Sequence, residues 1–270
     1  GSAAPVSVVV SAKMTCEQHE VLAGVADVIV CATGTRNAAR AHAIGAVRQA
    51  LRQWWPAAHV AKRIDSTLRG HVGAEVECVV RELATLSGRR VFGLVCPAYP
   101  SAGRTTVGGR QHLHGLPLDA SPASRATIEP LDRSRILSLL QGDGGLRGTE
   151  VYLAAVRRGA DEELAAALAD GLDIVVFDSE TLDDVDRLAA ACAAFAERHP
   201  DVLVVSVDPG PFTARLHHHR TSGVPDAQRA HDSRAATGTA RSDLPVLAVV
   251  GSASDLTRRQ LRTLVDRRKT

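Results

Sequence analysis

The 270 residues are enough for one large or two modest domains, and 45% hydrophobic against 23% charged is the make-up of a chain that buries a core, which excludes disordered, collagenous and repeat-array proteins. Lys and Arg total 32 against 30 for Asp and Glu, a net charge of +2, and aromatics are 3%, so neither the charge nor the stacking surface of a nucleic-acid binder is present. No apolar stretch approaches the ~18 residues that span a bilayer, and no cationic segment precedes the short apolar run near the start, so a cytoplasmic protein without membrane contact is expected.

Short β-branched runs over residues 6–10, 25–31, 60–64, 91–96, 174–177, 202–207 and 246–250 predict strands. Between them, Ala- and Leu-rich stretches over 37–52, 73–86, 161–168, 182–199 and 257–266 predict helices. The strands are nearly continuous in apolar residues, which suits a sheet covered on both faces. The expected fold is therefore α/β, a doubly wound and mostly parallel sheet with helices on both faces. Residues 216–243, with three adjacent histidines and no apolar period, read as a linker. The strand, Gly-Ser turn and helix after it open a further α/β unit, giving domains at 1–215 and 245–270, the latter incomplete, joined by a linker at 216–244. The five cysteines, Cys16, Cys31, Cys78, Cys96 and Cys192, include no C-x-x-C pair, so neither a disulfide nor a metal site is expected.

Ligands of open α/β sheets bind beyond the carboxyl ends of the strands. After the third predicted strand comes KRIDSTLRG, residues 62–70. Asp65 can accept from a ligand hydroxyl, Ser66 or Thr67 can offer one, and Arg69 can grip a carboxylate or phosphate beside helix-start amides; the bland alternative is a capped turn with a solvated arginine. After the fourth strand, Gly103, Arg104, Gly108 and Gly109 have the composition of an anion-binding loop, with backbone amides and a guanidinium, or else of a plain glycine turn. Thr35, Arg36 and Asn37 after the second strand read by themselves as a helix cap and a surface residue. The histidines at 217–219 lack the spaced partners of a metal site, and the GDGGLRG run beginning at Gly142 is not preceded by a strand, which disfavours a dinucleotide site.

KRIDSTLRG, then PAYPSAGRTTVGG at 97–109 and HGLPL at 114–118, resemble the four-carbon acid sugar kinase family. VIVCATGTRN, VVSVDPGPFTARL and VVGSASDLTRRQ extend the resemblance over most of the chain. The resemblance implies an ATP-dependent kinase that phosphorylates a hydroxyl of an erythronate-, threonate- or 3-oxotetronate-type acid, with Mg²⁺ beside the nucleotide. It further implies that Arg36, Lys62, Asp65, Ser66, Arg69, Gly103 and Arg104 face a small anionic sugar acid, with Asp65 holding or deprotonating the accepting hydroxyl. Ser252 or Ser254 would approach ATP. Three departures from the family pattern are legible: no Asp-Asp pair follows the first strand, Gly34 stands where an aspartate is usual, and the later glycine-rich nucleotide loops are absent. They suggest a chain truncated at both ends and inactive alone, its nucleotide site supplied by a second chain or a missing C-terminal domain. The alternative is a non-catalytic protein that keeps the acid-sugar pocket.

Overall fold

The structure, a computed structural model, describes residues 7–11, 28–121, 135–142 and 145–221. In chain order its first elements are β1 (Ser7–Ser11), β2 (Val28–Ala32), α1 (Arg40–Trp54), β3 (Val60–Arg63), α2 (Val72–Ser87) and β4 (Arg90–Val95). A small hairpin region follows with β5 (Arg104–Val107), β6 (Arg110–Leu113) and β7 (Leu116–Pro117), and then come α3 (Ile136–Gln141), β8 (Gly148–Val151), α4 (Leu153–Arg158) and α5 (Asp161–Ala169). The last elements are β9 (Ile174–Phe177), α6 (Leu182–Arg198), β10 (Val202–Asp208) and α7 (Pro211–Thr221). The chain parts into two units, Gly1–His231 and Asp232–Thr270. All described residues lie in the first, so the strand at 246–250, the helix at 257–266, Ser252 and Ser254 lie outside the described residues.

Five strands in the order β3-β10-β4-β9-β8 make a wholly parallel sheet. Strand alternation divides their side chains between two cores. Phe92 and Leu94 of β4, Val175 and Phe177 of β9, and Val202 and Val204 of β10 meet Val156, Leu164, Leu188, Phe195 and Phe212 from α4 to α7. Val91, Val95, Ile174, Val176, Leu203, Val205 and Val207 meet Val47, Val76, Val79, Leu83, Ile136 and Leu140 from α1, α2 and α3. Helices thus cover both faces, and β10, an interior strand between β3 and β4, is buried at every position. This is the doubly wound fold the continuous apolar runs predict.

Three features depart from the expectation. The parallel pair β1–β2 forms its own sheet, with no ladder to the other five strands. Val28 and Val30 remain exposed on it, so β2 lacks the two-sided burial its apolar run suggested. Residues 104–117 form an antiparallel three-stranded sheet, β5-β6-β7, where an irregular loop was read. The chain also stays helical past the expected boundary at 215 and into the expected linker: α7 continues to Thr221, with Leu216 and Phe212 buried against the core. Among the described residues no helix is long and apolar enough to cross a membrane.

Candidate functional site

The segment after β3 turns sharply because Leu68 takes a left-handed conformation, φ 57°, and is wholly buried. Its amide donates to the Asp65 carbonyl at 2.8 Å, which closes the turn and leaves Asp65, Thr67 and Arg69 together on its outer side. Arg69 donates from Nε and Nη2 to Oδ2 and Oδ1 of Asp65 at 2.7 and 3.1 Å, and Thr67 Oγ1 donates to Oδ2 at 2.5 Å. Arg36, from the segment after β2, brings Nη2 to 3.3 Å from Oδ1 of the same carboxylate. The segments lie close enough that a Cβ on Gly70 would sit 3.4 Å from the Arg36 backbone, and His71 Nε2 lies 2.7 Å from the Ala38 carbonyl oxygen.

The electrostatics follow from this geometry. Burial alone pushes the Asp65 carboxyl upward, but the bonds from Arg69 and Thr67 and the charges of Arg69 and Arg36 outweigh it and hold the group at about 2. Held below its ordinary range, Asp65 contributes stability that is present in full above the pKa of the unfolded chain and is lost as pH falls through about 2. The carboxylate is 12% exposed, while Arg36 and Arg69 are 54% and 42% exposed. A sunken anion therefore holds two cations at the surface. Lys62 is turned inward, with Nζ 2.7 Å from Glu75 Oε2 and donating to the Arg63 carbonyl at 2.8 Å.

The second loop is arranged differently from the anion cradle its composition suggested. The Gly103 amide donates to the Pro100 carbonyl at 2.9 Å. The amides of Gly108 and Gly109 donate to the Asp178 carboxylate at 2.8 and 3.0 Å. Backbone donors expected for a ligand are thus spent inside the protein, and the reading of Gly103 as an amide donor to substrate is corrected. Burial raises the Asp178 carboxyl, opposed by those amide bonds and a third from Leu153. Arg104 Nη1 donates to the Ala102 carbonyl, its Nε is buried without a partner among the described residues, and no described bond joins it to Asp65, Arg36 or Arg69. What connects the two loops is Gln111, wholly buried, whose Nε2 donates to the carbonyls of Ser66 and Pro97 at 2.9 and 3.0 Å while Oε1 accepts from Thr106 Oγ1 at 2.8 Å.

A family model described as "Sugar-binding N-terminal domain" matches residues 3–216 of this chain. The chain belongs to that family. Among curated proteins, this chain is 34% identical over 241 residues to a D-threonate kinase of Salmonella typhimurium, covering 87% of this chain and 51% of the relative. It is 32% identical over 206 residues to a D-erythronate kinase of Heliobacterium modesticaldum, covering 75% of this chain and 42% of the relative. The chain spans about half the length of these relatives. Among solved structures it is similar to a domain of unknown function from Bordetella bronchiseptica, crystallised with bound citrate as a domain-swapped dimer. That match has a TM-score of 0.63 and 26% identity, covering 81% of this chain and 51% of the other. The four-carbon acid sugar kinase resemblance carried by KRIDSTLRG and PAYPSAGRTTVGG is thus shared by the curated relatives' names.

Of the residues predicted for the site, Arg36, Asp65 and Arg69 come together, Ser66 lies half-buried in the same turn, and Lys62 is set behind it. Glu75 and Gln111 were missed, and Thr35, read as a helix cap, instead donates to Glu75 while Ala39 stands at the N-cap of α1. An isolated Gln on a short polar strand carries no sequence signal for a strut, whereas Asp65 and Arg69, four residues apart in one turn, are a pairing that spacing alone favours.

Proposed function

We propose that this domain binds a four-carbon polyol acid, of the D-threonate or D-erythronate kind, as the substrate of an ATP-dependent kinase. The observation that carries the reading is the meeting of Arg36 and Arg69, both surface-accessible, on the single sunken carboxylate of Asp65. An incoming carboxylate shares the free guanidinium N–H groups of the two arginines, and charge-assisted, forked bonds of this kind are the strong and directional ones. Asp65, whose oxygens already fix both arginines, accepts from a hydroxyl of the bound acid, as Ser66 and Thr67 do with their hydroxyl oxygens.

A carboxyl held at about 2 is a weak proton acceptor, so Asp65 orients the accepting hydroxyl more than it deprotonates it. That suits phosphoryl transfer, in which positioning and charge neutralisation outweigh base strength. ATP as phosphoryl donor and Mg²⁺ as its counter-ion belong to the same reading. The described residues do not themselves fit a nucleotide: the amides of Gly103, Gly108 and Gly109 are already taken, and no group of three or more His, Cys, Asp and Glu is poised for a metal among the described residues. The domain's own contribution is to bind and orient the acid.

Calorimetric titration of the full chain with D-threonate, D-erythronate and a neutral four-carbon polyol tests this. The acids are expected to bind and the neutral polyol to fail. Because Asp65 stays ionised down to about pH 2, affinity is predicted to be level between pH 5 and 8. Equal binding of the neutral polyol would contradict the arginine site, and a slope within that window would contradict Asp65 as the anion that fixes it.

A further inference from the structure

The α2 helix begins directly behind the site, and Glu75 in its first turn sends its carboxylate inward, where it is 9% exposed. Both oxygens are occupied. Oε2 lies 2.7 Å from Lys62 Nζ on β3, and Oε1 accepts from the Thr35 hydroxyl at 2.6 Å. Thr35 is itself buried, and its hydroxyl oxygen lies 3.1 Å from that of Thr33. One buried carboxylate therefore joins β3, α2 and the segment after β2. A buried ion pair returns little net stability after desolvation, so its contribution lies in the geometry it imposes.

That geometry bears directly on the site, because Arg36 follows Thr35 in the chain and reaches Asp65 from the same segment. We propose that Glu75 is a positioning residue of the acid-sugar site: it clamps Lys62 and Thr35, and through Thr35 it sets Arg36 over Asp65. The inference rests on the functional reading above and deepens it. Since both of its oxygens are occupied by protein partners, Glu75 acts through Arg36 without touching the ligand.

Two readouts separate this role from simple loss of folding. The first is a double-mutant cycle on the full chain, with Glu75→Gln and Arg36→Ala made singly and together and titrated with D-threonate and D-erythronate. Glu75→Gln alone is expected to weaken binding roughly tenfold, the scale of one charge-assisted hydrogen bond, and to add less than about threefold once Arg36 is gone. The second is acetylation of Lys62 by acetic anhydride, followed by mass spectrometry, which is clean because Lys13 and Lys269 are the other lysines. Lys62 is expected to react several times faster in Glu75→Gln than in the parent.

Parental affinity in Glu75→Gln, losses that multiply fully in the double variant, or unchanged Lys62 reactivity would each overturn the proposal. Where Glu75→Gln disturbs folding, Thr35→Val cuts the other arm of the clamp and is expected to weaken binding by a similar factor; parental affinity in that variant would also overturn it. If the parent binds neither acid at millimolar concentration, the functional reading fails, and the Lys62 reactivity still decides whether Glu75 holds its partners.

Discussion

Replacing Arg69 by alanine is expected to cost this domain roughly ten- to a hundredfold in affinity for D-threonate, the range that corresponds to about 1.5–3 kcal/mol for a lost hydrogen bond to a charged group. Two effects add. The variant loses a forked donor for the ligand carboxylate, and it leaves Asp65 with one cationic partner where it had two, so the sunken carboxylate repels the incoming acid. Arg187 on α6 is the control: it is exposed and paired with Asp183 one helical turn away, an arrangement worth a few tenths of a kcal/mol and remote in chemistry from the ligand. Calorimetric titration of Arg69→Ala and Arg187→Ala at fixed salt, with folding checked by circular dichroism, makes the comparison. Equal losses in the two variants would mean that general positive charge attracts the acid.

Gln111→Leu is expected to destabilise the domain by about 2–5 kcal/mol, a large share of the 5–15 kcal/mol that typically separates folded from unfolded states. Leucine fills similar volume but leaves the Ser66 and Pro97 carbonyls and the Thr106 hydroxyl without the partner they have now. Buried polar groups stripped of a partner cost about 1–3 kcal/mol each, and three are affected, though relaxation and entering water return part of this. Urea unfolding monitored by circular dichroism measures it. A change below about 1 kcal/mol would show that Gln111 only fills space and that the two loops are held together by other contacts.

The parts of the fold legible in the sequence are those governed by local pattern. Strands β4, β9 and β10 are continuous apolar runs, and α6 opens on Thr181 with Asp184 three residues on, which in the structure form a capping box. The hairpin β5–β6 was missed although its signal was present: Val107 pairs with Arg110 across Gly108–Gly109, and both glycines adopt the positive φ that such two-residue turns require. The strands flanking it, RTTV and RQHL, are too polar to register as strands, so the glycines were read as ligand donors. What consumes their amides is Asp178, about seventy residues further on, and a pairing at that separation leaves no local trace.

The site divides in the same way. Asp65 and Arg69 lie in one turn and were legible together, and Arg36 was placed with them by the family motif and not by its own surroundings. Glu75 and Gln111 act across long sequence separations, by bridging segments that approach only when the sheet is assembled. Lys62 was expected at the substrate, and its inward turn follows from Glu75, whose position on the buried face of α2 no residue-by-residue reading of KRIDSTLRG contains.

The most direct test of the account is a crystal structure of the full chain with D-threonate bound. The account predicts the ligand carboxylate within hydrogen-bond distance of the guanidinium groups of both Arg36 and Arg69, with a ligand hydroxyl on Asp65. A ligand seated elsewhere, for instance on Arg63 or Arg104, with the Arg36, Asp65 and Arg69 cluster left unchanged, would contradict it.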